Sequence, residues 1–140
     1  TPLYSSAASD VYKRQTYNTT KYLEDPDNQG KIFNTWTPKH MLRLWANYKL
    51  PGDWNRLSVG AGVNTQTHTL SSDRKFALAG FSVWNARLGY QATSELSFGL
   101  NLNNVFDKKY YVPSYNTISS NNYYGEPRNV MLTVRYAPKL

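Results

Sequence analysis

The chain has 140 residues, no cysteine and a formal net charge of +7. Without cysteine there are no disulfides, no Cys-ligated zinc and no thiol catalysis. There is also no apolar run of about 18 residues, the length a transmembrane helix requires.

Aromatic residues make up 15% of the chain, yet its mean hydropathy is −0.64. Amphipathic β-structure reconciles the two, because its apolar side chains occupy only alternate positions. The positive charge does not indicate nucleic acid. Lys and Arg are scattered, with no basic helix or cluster, so solvated faces or contact with an anionic surface or ligand fit better.

Residues 1–15, TPLYSSAASDVYKRQ, have no clear periodicity and resemble translated sequencing-adaptor tails. They are set apart as a suspected adaptor-derived or disordered tail, with a genuine strand start as the alternative, and no secretory signal is legible in them. Residues 16–22, rich in Thr and Tyr, predict a strand. A polar loop follows over 23–37, broken by Asp25-Pro26-Asp27-Asn28 and Gly30.

The next strand sets Leu42, Leu44, Ala46 and Tyr48 against Arg43, Trp45, Asn47 and Lys49. It ends at the turn signal Pro51-Gly52-Asp53. Its hairpin partner alternates Leu57, Val59, Ala61 and Val63 with Ser58, Gly60, Gly62 and Asn64. After a polar loop over 67–80, a fourth strand sets Trp84, Ala86, Leu88 and Tyr90 against Asn85, Arg87 and Gly89. A short turn at 91–95 leads to a fifth, with Leu96, Phe98, Leu100 and Leu102 on one face. Residues 107–126 form a long loop crowded with Tyr, Asn and Ser. A last strand sets Val130, Leu132, Val134 and Tyr136 against Asn129, Met131, Thr133 and Arg135.

These elements predict an all-β antiparallel sheet of about six strands, its connections running long, short, long, short, long. Outer-membrane barrels keep short turns on one side and long loops on the other. The charges agree. Arg43, Lys49, Arg87 and Arg135 all fall in the polar sets, whereas Lys or Arg on a lipid face near the midplane costs about 2–4 kcal/mol. A soluble sheet on a core would also pass that test, so the loop rhythm and aromatic strand ends decide for a membrane.

No catalytic constellation emerges. Residues 25–30 resemble an EF-hand start but fail at the fifth and twelfth positions. Gly60-Ala61-Gly62 lacks the third Gly and the helix of a nucleotide site, and reads as small residues facing a barrel lumen. His40 and His68 have no metal-ligand spacing, and no nucleophile elbow or carboxylate pair is present. Tyr110, Tyr111, Tyr115, Tyr123 and Tyr124 suit either interfacial anchoring or an aromatic rim that meets a ligand from outside. Trp36, Arg74, Lys75, Lys108 and Lys109 supply stacking or charge for an anionic ligand.

One segment is more specific. Asn101-Leu102-Asn103-Asn104-Val105-Phe106-Asp107-Lys108-Lys109-Tyr110-Tyr111 resembles the N-L-x-N-L-F-D-K-x-Y-Y segment of TonB-dependent outer-membrane receptors. Tyr124-Gly125-Glu126-Pro127-Arg128 resembles their entry into the last strand. Thr37-Pro38-Lys39-His40, with Leu44-Trp45 and Leu50-Pro51-Gly52, is similar to the subgroup for pyoverdine- or coprogen-like ferric chelates.

The resemblance implies that residues 16–140 are the C-terminal part of a transmembrane up-and-down barrel of about 22 strands. It further implies outer-membrane lipid around the barrel and a ferric siderophore as transported ligand. A plug domain and the segment engaging TonB would lie in a missing N-terminal region. No enzyme activity, directly bound cofactor, metal site or nucleic-acid partner is implied. The runner-up is a small soluble β-barrel or sandwich that binds a ligand inside; an outer-membrane β-barrel enzyme comes third. One departure stands out: Tyr136 is followed by Ala137-Pro138, and Pro cannot donate to a ladder, so the last strand is expected to stop near Tyr136.

Overall fold

The structure, a computed structural model, describes residues 9–27, 29–31, 37–70, 77–113 and 122–138. Six long strands form one sheet: β1 (Ser9–Tyr17), β2 (His40–Lys49), β3 (Leu57–Gln66), β6 (Phe81–Gln91), β7 (Leu96–Asn103) and β10 (Asn129–Tyr136). Their order is β1-β2-β3-β6-β7-β10, and every pair is antiparallel. The chain therefore goes up and down without a crossover, and the sheet stays open, with β1 and β10 at its edges. Two small hairpins sit inside the long connections, β4 (Thr69–Leu70) with β5 (Ala77–Leu78), and β8 (Tyr111–Val112) with β9 (Tyr123–Tyr124).

Register keeps the two faces separate across five strands. Leu44 pairs with Val63, Val63 with Trp84, Leu88 with Leu100 and Leu100 with Leu132. The opposite face carries every charged residue of β2, β3, β6, β7 and β10. A one-residue slip in any pair would mix the two sets. The apolar face is not covered; Leu132, for example, is 66% exposed. Among the described residues only Leu78 and Val83 are buried hydrophobics. Among the described residues there is no shared dry core of the kind a soluble barrel or sandwich needs.

The short turns are closed locally. Asn55 N–H donates to the Gly52 carbonyl at 3.1 Å, and Leu50 N–H donates to the Leu57 carbonyl at 3.1 Å. Between β6 and β7, Thr93 Oγ1 accepts from Glu95 N–H at 3.2 Å and Leu96 N–H at 3.0 Å, the local hydroxyl bonding that favours Thr in turns. Both short turns lie at one end of the sheet, and the three long connections lie at the other.

Three expectations need correction. The first strand is not residues 16–22. It runs from Ser9 to Tyr17, and its last rung beyond is Asn18 N–H to the Lys39 carbonyl at 2.9 Å. Past it, Tyr22 N–H bonds the Lys31 carbonyl and Gly30 N–H the Tyr22 carbonyl, so the Thr- and Tyr-rich stretch closes a loop instead of extending the ladder. Residues 9–15 thus join the sheet, although they lack a consistent apolar face: Lys13 is paired with Leu44 and Gln15 with Leu42. The third concerns residues 67–80 and 107–126, which carry the two short hairpins within what reads as plain polar loop.

The small residues of β3 have a local reason. The Trp45 indole lies flat over Gly60 and Gly62, and a Cβ on Gly62 would run into its ring. Trp45 Nε1 donates to Asn47 Oδ1 at 2.8 Å, which holds the indole in place.

Candidate outer-mouth site

The site grows from the corner where β7 ends. Asn104 adopts φ 51°, a left-handed conformation that Asn tolerates better than most residues. It is 2% exposed and fully occupied. Its N–H donates to Asn85 Oδ1 at 3.1 Å, and its Nδ2 donates to the Lys108 carbonyl at 2.9 Å and the Glu126 carbonyl at 3.0 Å. Lys108 N–H returns a bond to Asn104 Oδ1 at 2.8 Å.

Neighbouring residues complete the clasp. Val105 N–H reaches the Trp84 carbonyl at 2.8 Å. Asp107, also at φ 51°, accepts Arg128 N–H on its carboxylate at 3.1 Å. Asn103 Nδ2 donates to Asn129 Oδ1 at 2.9 Å. One corner therefore ties β6, β7, the start of the long connection and its return into β10. Each buried polar group left without its partner there would cost about 1–3 kcal/mol.

The aromatic residues beyond the corner divide into three sets. Tyr110 is half-buried, stacked on Phe81 with ring centroids 4.2 Å apart. Gly125 N–H donates to the Tyr110 carbonyl at 2.8 Å, and the Tyr110 ring fills the space any Cβ on Gly125 would need. Tyr110 opens onto a hollow of about 300 Å³ on the polar face, shared with Arg43, Asn64, Asn85, Asn103 and Glu126.

Tyr111 and Tyr124 form the second set on the β8–β9 hairpin. Their ring centroids lie 4.8 Å apart, and the Tyr111 hydroxyl donates to that of Tyr124 at 3.4 Å. This hydrogen bond, and then the charge Tyr124 would carry as a phenolate, push the Tyr111 pKa above its ordinary value, so it stays a neutral phenol. Tyr123 is on the same hairpin and exposed.

The third set faces the other way. Trp84 and Phe106 meet edge to face at 6.4 Å on the apolar side, both exposed. Lys108 lines a groove with them, and so sits beside the aromatic girdle. At the short-turn end Tyr48, Tyr90 and Tyr136 are exposed on the same face, giving aromatic residues at both ends of the apolar band, as barrels have at their two interfaces.

Of the candidate ligand contacts, Tyr110, Tyr111, Tyr123 and Tyr124 come together at the long-loop end. Trp36, Arg74, Lys75 and Tyr115 lie outside the described residues. His40 is exposed and packs its ring 4.9 Å from Tyr17. Among the described residues no three His, Asp or Glu side chains gather to hold a metal. The segment that contains Asn104 does not disclose its bonds to Asn85 and Glu126, because those partners are distant in the chain, and Arg43, legible in the sequence only as a charge kept off the apolar face, lines the hollow under Tyr110.

Residues 3–105 match the family model described as TonB dependent receptor-like, beta-barrel. The chain is 41% identical over 126 residues to the ferric-pyoverdine M114 receptor PbuA of Pseudomonas sp. (strain M114), covering 86% of this chain and 15% of that protein. It is 35% identical over 120 residues to the catecholate siderophore receptor Fiu of Escherichia coli (strain K12), covering 82% and 15%. Among solved structures, the ferripyoverdine receptor of the Pseudomonas aeruginosa outer membrane bound to ferripyoverdine superposes with a TM-score of 0.77 at 28% identity, over 94% of this chain and 18% of that one. The chain thus spans about 15% of the length of the curated relatives it matches.

Proposed function

The chain belongs to the TonB-dependent receptor β-barrel family, and from that premise we propose that it forms one wall and part of the outer mouth of an outer-membrane receptor for ferric siderophores. The observation that carries this reading is the two-faced sheet. Across five strands the exposed face is apolar and uncharged, the other face holds every charge, and all long connections leave from one end. Lipid on the first face and a polar lumen on the second explain that division. A receptor whose full barrel closes with other strands would satisfy the two open edges of β1 and β10.

In this reading the clasp around Asn104 fixes the base of the outer loop, and the loop presents aromatic side chains to the ligand. Tyr110 lines the inner side of the mouth, and Tyr111, Tyr123 and Tyr124 form its rim. Trp36, Arg74, Lys75 and Tyr115 belong to the same proposal from their places in the long connections. Import energised through TonB belongs to the whole receptor.

The test is a chimera. Residues 38–138 replace the matching wall of a whole ferripyoverdine receptor, and uptake of the iron-loaded siderophore is measured. Retained uptake that falls when Tyr110 and Tyr111 are changed to Ala supports the reading. Insertion with normal surface exposure but uptake indifferent to all four described tyrosines overturns the ligand-contact assignment.

A further inference from the structure

On β3 and β6 the apolar face ends, at the long-loop side, in two hydroxyls. Thr65 and Ser82 are paired one row beyond Val63 and Trp84, and their hydroxyl oxygens meet at 2.7 Å. Together with Trp84, Phe106 and Lys108 they line a groove of about 450 Å³ on the outside of the sheet.

The polar groups of this groove have bonding capacity to spare. Each hydroxyl carries one hydrogen. Their mutual contact uses one of the two and leaves the other for a ligand. Lys108 is held by its backbone, its N–H donating to Asn104 Oδ1 at 2.8 Å. Its ammonium has no hydrogen-bond or ion-pair partner among the described residues. A cation and a free O–H beside one groove suit an anion rich in oxygen acceptors, which a phosphate is.

The apolar side of the groove selects a ligand with a tail. Trp84 and Phe106 meet edge to face and both are exposed. The next row of the same face, below Trp84, reads Ala46, Ala61 and Ala86 across β2, β3 and β6, and then Leu102 and Val130. Three alanines in register make a shallow trough about 10 Å wide at the usual interstrand distance. A free phosphate ion would leave this trough and both aromatic rings unused. An acyl chain descending from the groove would lie along the Trp84 ring and in the trough.

We propose that the groove seats one phosphorylated lipid of the outer leaflet, its phosphate held by Lys108 and the Thr65–Ser82 hydroxyl pair and its chain packed on Trp84, Phe106 and the alanine row. The site rests on the reading of the apolar face as lipid-facing.

The test uses the full 140-residue chain, with Trp84 as its only tryptophan, refolded in maltoside micelles. It is titrated with phosphatidic acid and with phosphatidylcholine, both brominated on the acyl chain, and with inorganic phosphate as competitor. Phosphatidic acid should quench Trp84 at about fivefold lower mole fraction than phosphatidylcholine, the preference one lysine near a charged bilayer supplies. Lys108→Gln should abolish that preference, and Lys109→Gln, an equal loss of charge outside the groove, should keep it. Thr65→Val combined with Ser82→Ala should reduce it about threefold.

Equal quenching by the two lipids would leave only an aromatic belt and overturn the site, with the lipid-facing reading intact. So would a preference indifferent to Lys108→Gln, or inorganic phosphate displacing the lipid at equal concentration. Quenching of Trp84 by neither lipid would remove the lipid-facing reading, and the site with it.

A second measurement serves where a variant fails to refold. The receptor chimera carrying residues 38–138 is extracted from outer membranes, and mass spectrometry counts the phosphorylated lipids that survive detergent exchange. The Lys108→Gln chimera should retain one fewer than the parent and the Lys109→Gln chimera the same number. An equal count in the parent and the Lys108→Gln chimera refutes the proposal.

Discussion

The Asn104 side-chain amide donates to the Glu126 carbonyl oxygen at 3.0 Å, across 22 residues of chain. That bond joins the departure of the longest connection to its return; the same side chain also holds Lys108, and the Asn104 backbone N–H donates to Asn85 Oδ1. Asn104→Ala should destabilise the refolded sheet by about 2–3 kcal/mol, because buried donors and acceptors lose their partner. Asn104→Gly tolerates the backbone angle but loses the same bonds, so it should fall nearly as far. Urea unfolding in micelles reads both. A Gly variant close to wild type would assign the residue's importance to its backbone angle instead.

Gly62 lies under the Trp45 indole, which leaves no space for a Cβ. Gly62→Ala should displace the ring and cost about 1–3 kcal/mol, as overpacking does. The shift in Trp45 emission, measured in a variant lacking the other tryptophans, reports whether the ring has moved. Gly99→Ala is the control, since the nearest atom to its Cβ is Thr133 Cβ at 3.8 Å, an ordinary contact.

The Tyr111–Tyr124 contact makes a prediction about pH. The folded Tyr111 pKa is raised above its ordinary value of 10.0. The contact's contribution is therefore complete below that value and is lost as pH rises through the higher folded one. Absorbance titration of the phenolate should show one tyrosine ionising late. Tyr124→Phe should bring that transition down towards the ordinary value; an unchanged curve would dismiss the hydrogen bond as its cause.

Adjacent positions on β10 separate the two faces. Leu132→Lys places a cation on the apolar face opposite Leu100, and should cost about 2–4 kcal/mol in a bilayer if it lies near the midplane. Thr133→Lys points into the lumen and should cost little. Reversible unfolding from lipid vesicles measures both. Lys13→Leu, which removes the cation paired with Leu44, should slow hydrogen exchange along β1.

Much of this was legible in the sequence. The alternation of residues 96–103 fixes a strand whose bounds match β7, and the same period finds the other four two-faced strands. Their registers follow, because each greasy set must meet its neighbour's. The end of β10 at Tyr136 follows from Pro138. The first strand was missed because β-propensity says which residues suit a strand and not which partner they find. The Asn104 clasp was seen as a motif without a mechanism, since Asn85 and Glu126 meet it only once two connections, the β6–β7 turn and the long return to β10, have folded.

The central claim is that the apolar face meets lipid and the polar face does not. Trp84 and Trp45 sit on opposite faces, so single-tryptophan versions of the chain in vesicles containing brominated lipid test it directly. The account predicts strong quenching of Trp84 and weak quenching of Trp45, with a water-soluble quencher giving the reverse order. Equal quenching of the two by brominated lipid, or stronger quenching of Trp45, would contradict it.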